Sequence, residues 1–312
     1  MRLLAAALCL FLPVIALASD LPASEPVPGG VAVVLLPFGG NTAPKAKLDG
    51  RPVMVVKNGE QWFALVGIAL ETVPGGLTLD VSQGGAAPQR VKFDVGPKRY
   101  PVQALTITNP EMVNPTPAQL RRIEREQLHL DKVVNRWRRT SHPGTGFIWP
   151  GKGPETSPFG VRRVLNGEPR SPHTGVDLGA PAGTPVHAPA DAVVADVGRY
   201  YFCGKTLTLD MGEGLYSIYC HLSKITVRPG QRVKQGQLVG RIGATGRTTG
   251  PNLHWTVKLN GVAVDPAVFL GTNAPPAPVL PMSAATQAAP AATHAAPAMA
   301  TSVAPAPVTH SH

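Results

Sequence analysis

Asn252-Leu253-His254-Trp255-Thr256-Val257-Lys258-Leu259 is the stretch whose reading decides the fold. From Leu253 onward apolar and polar residues alternate without a break, the period of a strand with one buried face. Leu253, Trp255, Val257 and Leu259 are expected to face a core, with Asn252, His254 and Thr256 on the other side, toward a groove. The segment Leu215–Leu222 alternates in the same way and sets His221 on the face of Ser217 and Tyr219. Farther upstream, Ser171-Pro172-His173-Thr174-Gly175-Val176-Asp177-Leu178-Gly179-Ala180-Pro181 separates His173 from Asp177 by four positions. The Pro and Gly content argues against a helix there, and an even separation in an extended segment also puts two side chains on one face. Three histidines and an aspartate are therefore expected to line one sheet face. Two imidazoles and a carboxylate form a standard ligand set for a catalytic zinc, which keeps its fourth position for water.

Working outward, residues 146–271 are β-rich and dense in turn residues, and 31–107 repeat short β-branched runs between turn signals. Examples are Val31–Leu36, Val53–Val56, Trp62–Val66, Leu77–Val81 and Val91–Val95, punctuated by Asp49-Gly50, Asn58-Gly59 and Gly75-Gly76. That spacing fits a small all-β domain such as a sandwich, and it contains no histidine, so it reads as a positioning or wall-facing module. Between the two, Thr116-Pro117-Ala118-Gln119 has the signature of a helix start, with Thr as N-cap, Pro at the first position and Gln to close a capping box. Leu120, Ile123, Leu130, Val134 and Trp137 follow helical spacing as a packed stripe, with Arg121, Arg122, Arg125, Lys132 and Arg138 on solvated faces. The fold expected is mainly β: an N-terminal β-domain over 19–110, a helical connector over 111–145, and a C-terminal antiparallel β-sheet domain over 146–271.

Met1 to about Ala18 reads as a secretory signal, with Arg2, an apolar run from Leu3 to Leu17 and a small-x-small site at Ala16-Leu17-Ala18. Residues 272–312 are dominated by Ala, Pro, Thr and His, a composition expected to stay disordered, and His310 and His312 are not expected to form a fixed metal site. The 312 residues carry a net charge of +10, which favours anionic surroundings. An exported chain, placed in the periplasm or cell envelope, rarely meets nucleic acid, and no membrane span remains once the signal is removed. Cell-wall polymer is the leading partner. Export also leaves Cys203 and Cys220 in an oxidising compartment.

At this point the residues resemble a family. Phe159-Gly-Val-Arg-Arg163, Pro172-His-Thr-Gly-Val-Asp177, Ala180-Pro-Ala-Gly-Thr-Pro-Val186, Tyr219-Cys-His-Leu222 and Thr249-Gly-Pro-Asn-Leu-His-Trp255 are similar, in order, to the lysostaphin/LytM-type zinc metallopeptidases. Members of that family cut peptide bonds in bacterial peptidoglycan. The resemblance covers about a third of the chain, and the Val31–Ile107 region looks more loosely like the β-domain that precedes the catalytic domain in some relatives. It implies His173, Asp177 and His254 as ligands of Zn2+, and His221 as the imidazole that handles protons or stabilises the transition state. It also implies peptidoglycan stem peptides as substrate, with cell-wall enzymes as further partners. One departure is visible. The family's last motif is H-x-H, whereas this chain has Asn252-Leu253-His254, so an asparagine stands at the second catalytic position. Asparagine can hydrogen-bond a water or an oxyanion but cannot take a proton at neutral pH.

The alternative is a wall-binding relative that activates amidases without cutting, although such relatives lose ligands and this chain keeps all three. A third reading, a biotinyl or lipoyl carrier, rests on the turn-rich run Val227–Gly240 and lacks a lysine in the usual carrier turn context. Arg162 and Arg163 are either contacts for an anionic substrate or salt-bridged, and His129 and His187 are expected at the surface. Lastly, a hairpin centred on Met211-Gly212-Glu213-Gly214 would oppose Cys203 to Cys220 and permit a disulfide. Cys220 would then point away from its neighbour His221.

Overall fold

The computed structural model describes residues 21–141 and 143–271. The expected signal segment and the Ala/Pro-rich tail lie outside the described residues. Among the described residues no helix is long and apolar enough to cross a membrane.

The chain is mainly β, as its alternation predicts. The first six strands are β1 (Val31–Leu35), β2 (Lys45–Leu48), β3 (Arg51–Asn58), β4 (Gln61–Gly67), β5 (Gly75–Ser82) and β6 (Gln89–Val95). They form one antiparallel sheet in the order β1-β4-β3-β2-β5-β6, rather than the two sheets of a sandwich. The reason is β2, a four-residue strand too short to stand out in the sequence, which pairs with both β3 and β5 and joins the two halves. Ala32, Val34, Ala64, Val66, Leu79 and Val81 fill the core of this sheet. Its other residues Val31, Met54 and Leu65 belong to the main core of the C-terminal sheet.

Strand β7 (Val102–Leu105) leaves that sheet and runs parallel to β9 (Arg162–Leu165), which also pairs with β10 (Glu168–Pro169). Helix α1 (Pro117–Val134) intervenes, opened by the capping box expected at Thr116 and Gln119. It stops at Asn135, short of Trp137, and its packing differs from the expected stripe. Only Val133 and Val134 are buried, while Leu120 is 51% exposed.

The C-terminal sheet comprises β8 (Glu155–Ser157), β11 (Val176–Gly179), β12 (Pro185–His187), β13 (Ala192–Tyr200), β14 (Gly204–Gly212), β15 (Leu215–Ile225), β16 (Arg232–Val233), β17 (Leu238–Ile242), β18 (Asn252–Leu259) and β19 (Val262–Val264). Its principal order is β16-β13-β14-β15-β18-β11-β8. Leu253, Trp255, Val257 and Leu259 are fully buried and face the main core as expected. Four of the hairpins close with two-residue turns that need two positive φ angles, the type favoured by right-handed strand twist. Asp49-Gly50, Asn166-Gly167, Glu213-Gly214 and Asn260-Gly261 supply them. Among the described residues one further non-glycine residue has a positive φ, and it is in no such turn: His221, at 63°.

Candidate metal centre

Asp177 lies on β11 directly opposite His254 on β18, and His254 lies opposite Cys220 on β15. Three neighbouring strands therefore deliver their side chains to one patch. His173 is not on a strand but in the segment before β11, where its backbone exchanges hydrogen bonds with Gly160 and Val161 at 2.8 and 2.9 Å. Gly175 between them packs so closely on β18 that a Cβ there would stand 2.5 Å from the Trp255 carbonyl oxygen and 2.9 Å from the His254 ring. Glycine is what allows this approach.

The three side chains meet. His173 Nε2 is 3.1 Å from Asp177 Oδ1 and 2.9 Å from His254 Nδ1, and His254 Nδ1 is 2.8 Å from Asp177 Oδ1. The other nitrogen of each ring sets the tautomer. His173 Nδ1 is 2.9 Å from the Pro158 carbonyl, which can only accept, so that nitrogen carries the proton and Nε2 is bare. His254 Nε2 faces the Thr256 hydroxyl at 2.9 Å, which can accept its proton and so allows the tautomer with Nδ1 bare. Two lone pairs and a carboxylate oxygen thus crowd one point with no proton to share. That arrangement is repulsive by itself and is relieved by a cation, so the residues present fit a zinc ion.

The outer partners complete the geometry. Arg163 Nη2 donates to Asp177 Oδ2 at 2.6 Å, the oxygen turned away from the cluster. The Thr156 hydroxyl donates to the Asp177 carbonyl at 3.1 Å, and the Ser157 hydroxyl lies 3.1 Å from His173 Nδ1 and donates to Gln103 Oε1 at 2.6 Å. Burial lowers His254, against the pull of Asp177. Sequence reading left Arg163 between an anionic-substrate contact and a salt bridge, and the structure pairs it with Asp177; it put Thr256 on the groove face without a role and missed Ser157 and Thr156, whose small polar side chains have no distinctive spacing.

His221 reaches this patch by a route that alternation does not contain. Ser217 and Tyr219 face the main core, where Ser217 Oγ accepts from Trp255 Nε1 at 2.7 Å, so a regular strand would have buried His221 there. Instead the register between β14 and β15 slips between Lys205↔Leu222 and Leu207↔Tyr219, a bulge at Cys220-His221. With φ at 63°, His221 donates its backbone N–H to the Cys203 carbonyl at 2.7 Å. Its ring stands 6.1 Å from the His254 ring, centroid to centroid, edge to face. Its Nδ1 lies 2.7 Å from the Thr245 carbonyl, so Nε2 is the bare nitrogen. Burial and the neighbouring His254 push its pKa down to about 4, which keeps the ring neutral.

Asn252 opens β18 two residues before His254, with its Oδ1 3.0 Å from the Thr248 hydroxyl. That contact leaves the Nδ2 protons to donate elsewhere. Cys203 and Cys220 form a disulfide with Cα atoms 4.7 Å apart. The pairing is as expected, but the register behind it is not. The hairpin turns at Glu213-Gly214, so the ladder runs toward Lys205↔Leu222 and does not oppose 203 to 220. The two meet because the chain reverses at Tyr201–Cys203, between β13 and β14, and because β15 bulges at Cys220. Nor does Cys220 oppose His221 across the sheet, since both flank His254; its sulfur is held in the disulfide and stands outside the ligand cluster.

A solved structure of a Pseudomonas aeruginosa protein described as peptidase M23 shares 41% identity with this chain, with a TM-score of 0.68, over 80% of this chain and 96% of that one. The chain belongs to peptidase family M23. Two sequence profiles of the family agree, Peptidase family M23 over residues 171–266 and Peptidase family M23 N-terminal domain over 24–98. Among curated relatives, the DD-carboxypeptidase/endopeptidase Mpg of Neisseria meningitidis is 40% identical over 111 residues, 36% of this chain and 26% of the relative. The peptidoglycan DD-endopeptidase ShyA of Vibrio cholerae is 40% identical over 95 residues, 30% of this chain and 22% of the relative. The M23 chain thus spans about a quarter of the length of the curated relatives it matches. The matched span of the M23 profile includes His173, Asp177, His221, Asn252 and His254.

Proposed function

We propose that the chain is an exported zinc metalloendopeptidase that hydrolyses peptide cross-links of bacterial peptidoglycan in the periplasm or cell envelope. The observation that carries this reading is the convergence of His173 Nε2, His254 Nδ1 and Asp177 Oδ1 on one point with their protons directed elsewhere. Those three atoms would hold the metal. A bound zinc supplies a Lewis acid and a water whose pKa falls to about 7. The remaining work belongs to the chain's own groups. His221, neutral and anchored through Nδ1, presents Nε2 to take a proton from the nucleophile and return it to the leaving amine, a role worth about 10²–10⁴-fold. Asn252 Nδ2 would donate a hydrogen bond to the oxyanion but cannot share the proton transfer. The activity named for ShyA supports peptidoglycan as the substrate, and that named for Mpg supports an endopeptidase. The complete ligand set separates this reading from a non-cutting activator of amidases.

The test is digestion of purified peptidoglycan by the zinc-loaded protein, with and without a chelator, followed by mass spectrometry of the products. New free amino groups that appear only without chelator are expected. Binding to the polymer with no change in its cross-linking would overturn the enzymatic reading.

A further inference from the structure

Arg163 stands on the cluster, Arg170 and Arg247 lie near enough to add their charges, and the three are poorly matched. Arg163 is committed to Asp177, whose other oxygen faces the metal position. Arg170, three residues before His173, bonds Glu168 Oε2 at 2.6 Å, Asn114 Oδ1 at 2.8 Å and the Val113 carbonyl at 3.1 Å. Arg247 donates to the adjacent Met112 carbonyl at 3.2 Å, so the two guanidiniums sit side by side on one strip of backbone. The face of Arg247 lies 4.0 Å from the Phe202 ring centroid, and among the described residues no carboxylate is paired with it. Burial, with the charges of Arg163 and Arg170 added to it, pushes Arg247 down to about 10. The three arginines face two carboxylates, Asp177 and Glu168, and a divalent ion would widen that imbalance. A partly buried cation without an anion is unfavourable unless a ligand brings one.

The position of Arg247 is set from both sides. It lies in the loop between β17 and β18, two residues after Thr245, whose carbonyl holds His221, and next to Thr248, which touches Asn252. The loop is pressed against the turn before β14. A Cβ on Gly246 would collide with the backbone of Phe202, Cys203 and Gly204. Phe202 and the disulfide turn therefore fix the guanidinium on the same loop whose Thr245 carbonyl anchors His221 and whose Thr248 touches Asn252.

We propose that Arg247, with Arg170 beside it, forms a carboxylate-binding subsite that selects peptides carrying a free carboxylate close to the scissile bond. The assignment rests on the peptidase reading and names its substrate class: anionic cross-linked peptides rather than their amidated counterparts. A guanidinium offers two parallel N–H donors to a carboxylate, a match that a carboxamide cannot reproduce in charge.

The experiment uses two synthetic cross-linked peptides that differ only in whether the flanking carboxylate is free or amidated. Zinc-loaded wild type, Arg247→Gln and Arg247→Lys are compared by kcat/KM, and by the Kd of the corresponding uncross-linked product peptides. Zinc content and melting temperature establish that each variant is folded. Wild type is expected to favour the free carboxylate by about 10–100-fold. Arg247→Gln should bring that ratio close to one, with Arg247→Lys between. Equal kcat/KM for both peptides in wild type would overturn the subsite and leave the peptidase reading standing. An equal loss on both peptides in Arg247→Gln would overturn it too, as the mark of a structural role. If neither peptide is cut but the carboxylate form binds at least tenfold tighter in an Arg247-dependent way, the subsite stands and the peptidase reading falls.

Discussion

Replacing His221 by glycine is expected to give a more stable protein than replacing it by alanine, the reverse of the order at an ordinary strand position. In a regular strand Gly is less stable than Ala by about 0.5–1 kcal/mol, because the unfolded chain gains freedom. At φ 63° the balance changes, since a Cβ in the left-handed region costs roughly 1–2 kcal/mol and glycine is free of that cost. The two terms leave glycine ahead by roughly 0.75 kcal/mol, the centre of a range of about 0–1.5. Both substitutions delete the ring and its bond to the Thr245 carbonyl, so those losses cancel and the difference reports the backbone. For a chain of this size 1 kcal/mol moves the midpoint about 2–4 °C, so His221→Gly should melt about 1–4 °C above His221→Ala. The assay is thermal unfolding of both variants in chelator at pH 7 with the disulfide intact. Both should also lose at least about 10²-fold in turnover. If the alanine variant melts at or above the glycine variant, His221 is in ordinary strand conformation, and the argument that a bulge delivers the imidazole fails.

Other outcomes follow from the same contacts. His254→Ala should release the metal and abolish hydrolysis, and stoichiometric zinc retained in that variant, measured by elemental analysis, would refute the ligand assignment. Asn252→His should raise turnover without changing zinc affinity, because it adds an imidazole beside the cluster; an unchanged rate would place Asn252 outside the chemistry. Serine at both Cys203 and Cys220 should lower stability by about 3 kcal/mol, the loop-closure value for a separation of 17, and two free thiols in the denatured, unreduced protein would exclude the bond. Burial, opposed by the Ala267 N–H bond and by Lys98, holds the Asp265 carboxyl above its ordinary value. The folded protein therefore keeps that proton better than the unfolded chain, and stability is lost as pH rises from about 4 through the raised value. Asp265→Asn should be more stable than wild type at pH 7 by denaturant unfolding, with the gap narrowing toward pH 4.

What the sequence made legible was whatever repeats with a period. The alternation of Leu253–Leu259 placed four core residues and turned His254 outward, and Asp49-Gly50 sits where a two-residue turn requires positive φ. The capping box at Thr116 was readable for the same reason, being a fixed offset with a known bond pattern. His221 was placed near the other candidates by a wrong argument: strict alternation sends it into the core with Tyr219, and the extra residue of a bulge leaves no mark in polarity. The disulfide was found in the same way, by a register that the ladder does not have. These two misreadings have one physical origin. The chain reverses at Cys203, the Cys203 carbonyl takes the His221 N–H, and the sulfur of Cys203 takes Cys220, so bulge and bond lock one another. The loop from Thr245 to Thr248 then closes on that turn and holds the His221 ring from the other side. A periodic pattern can name the residues that face a groove, but the aim of His221 is set by contacts between segments 18 to 24 residues apart, and those are visible only once the strands are assembled.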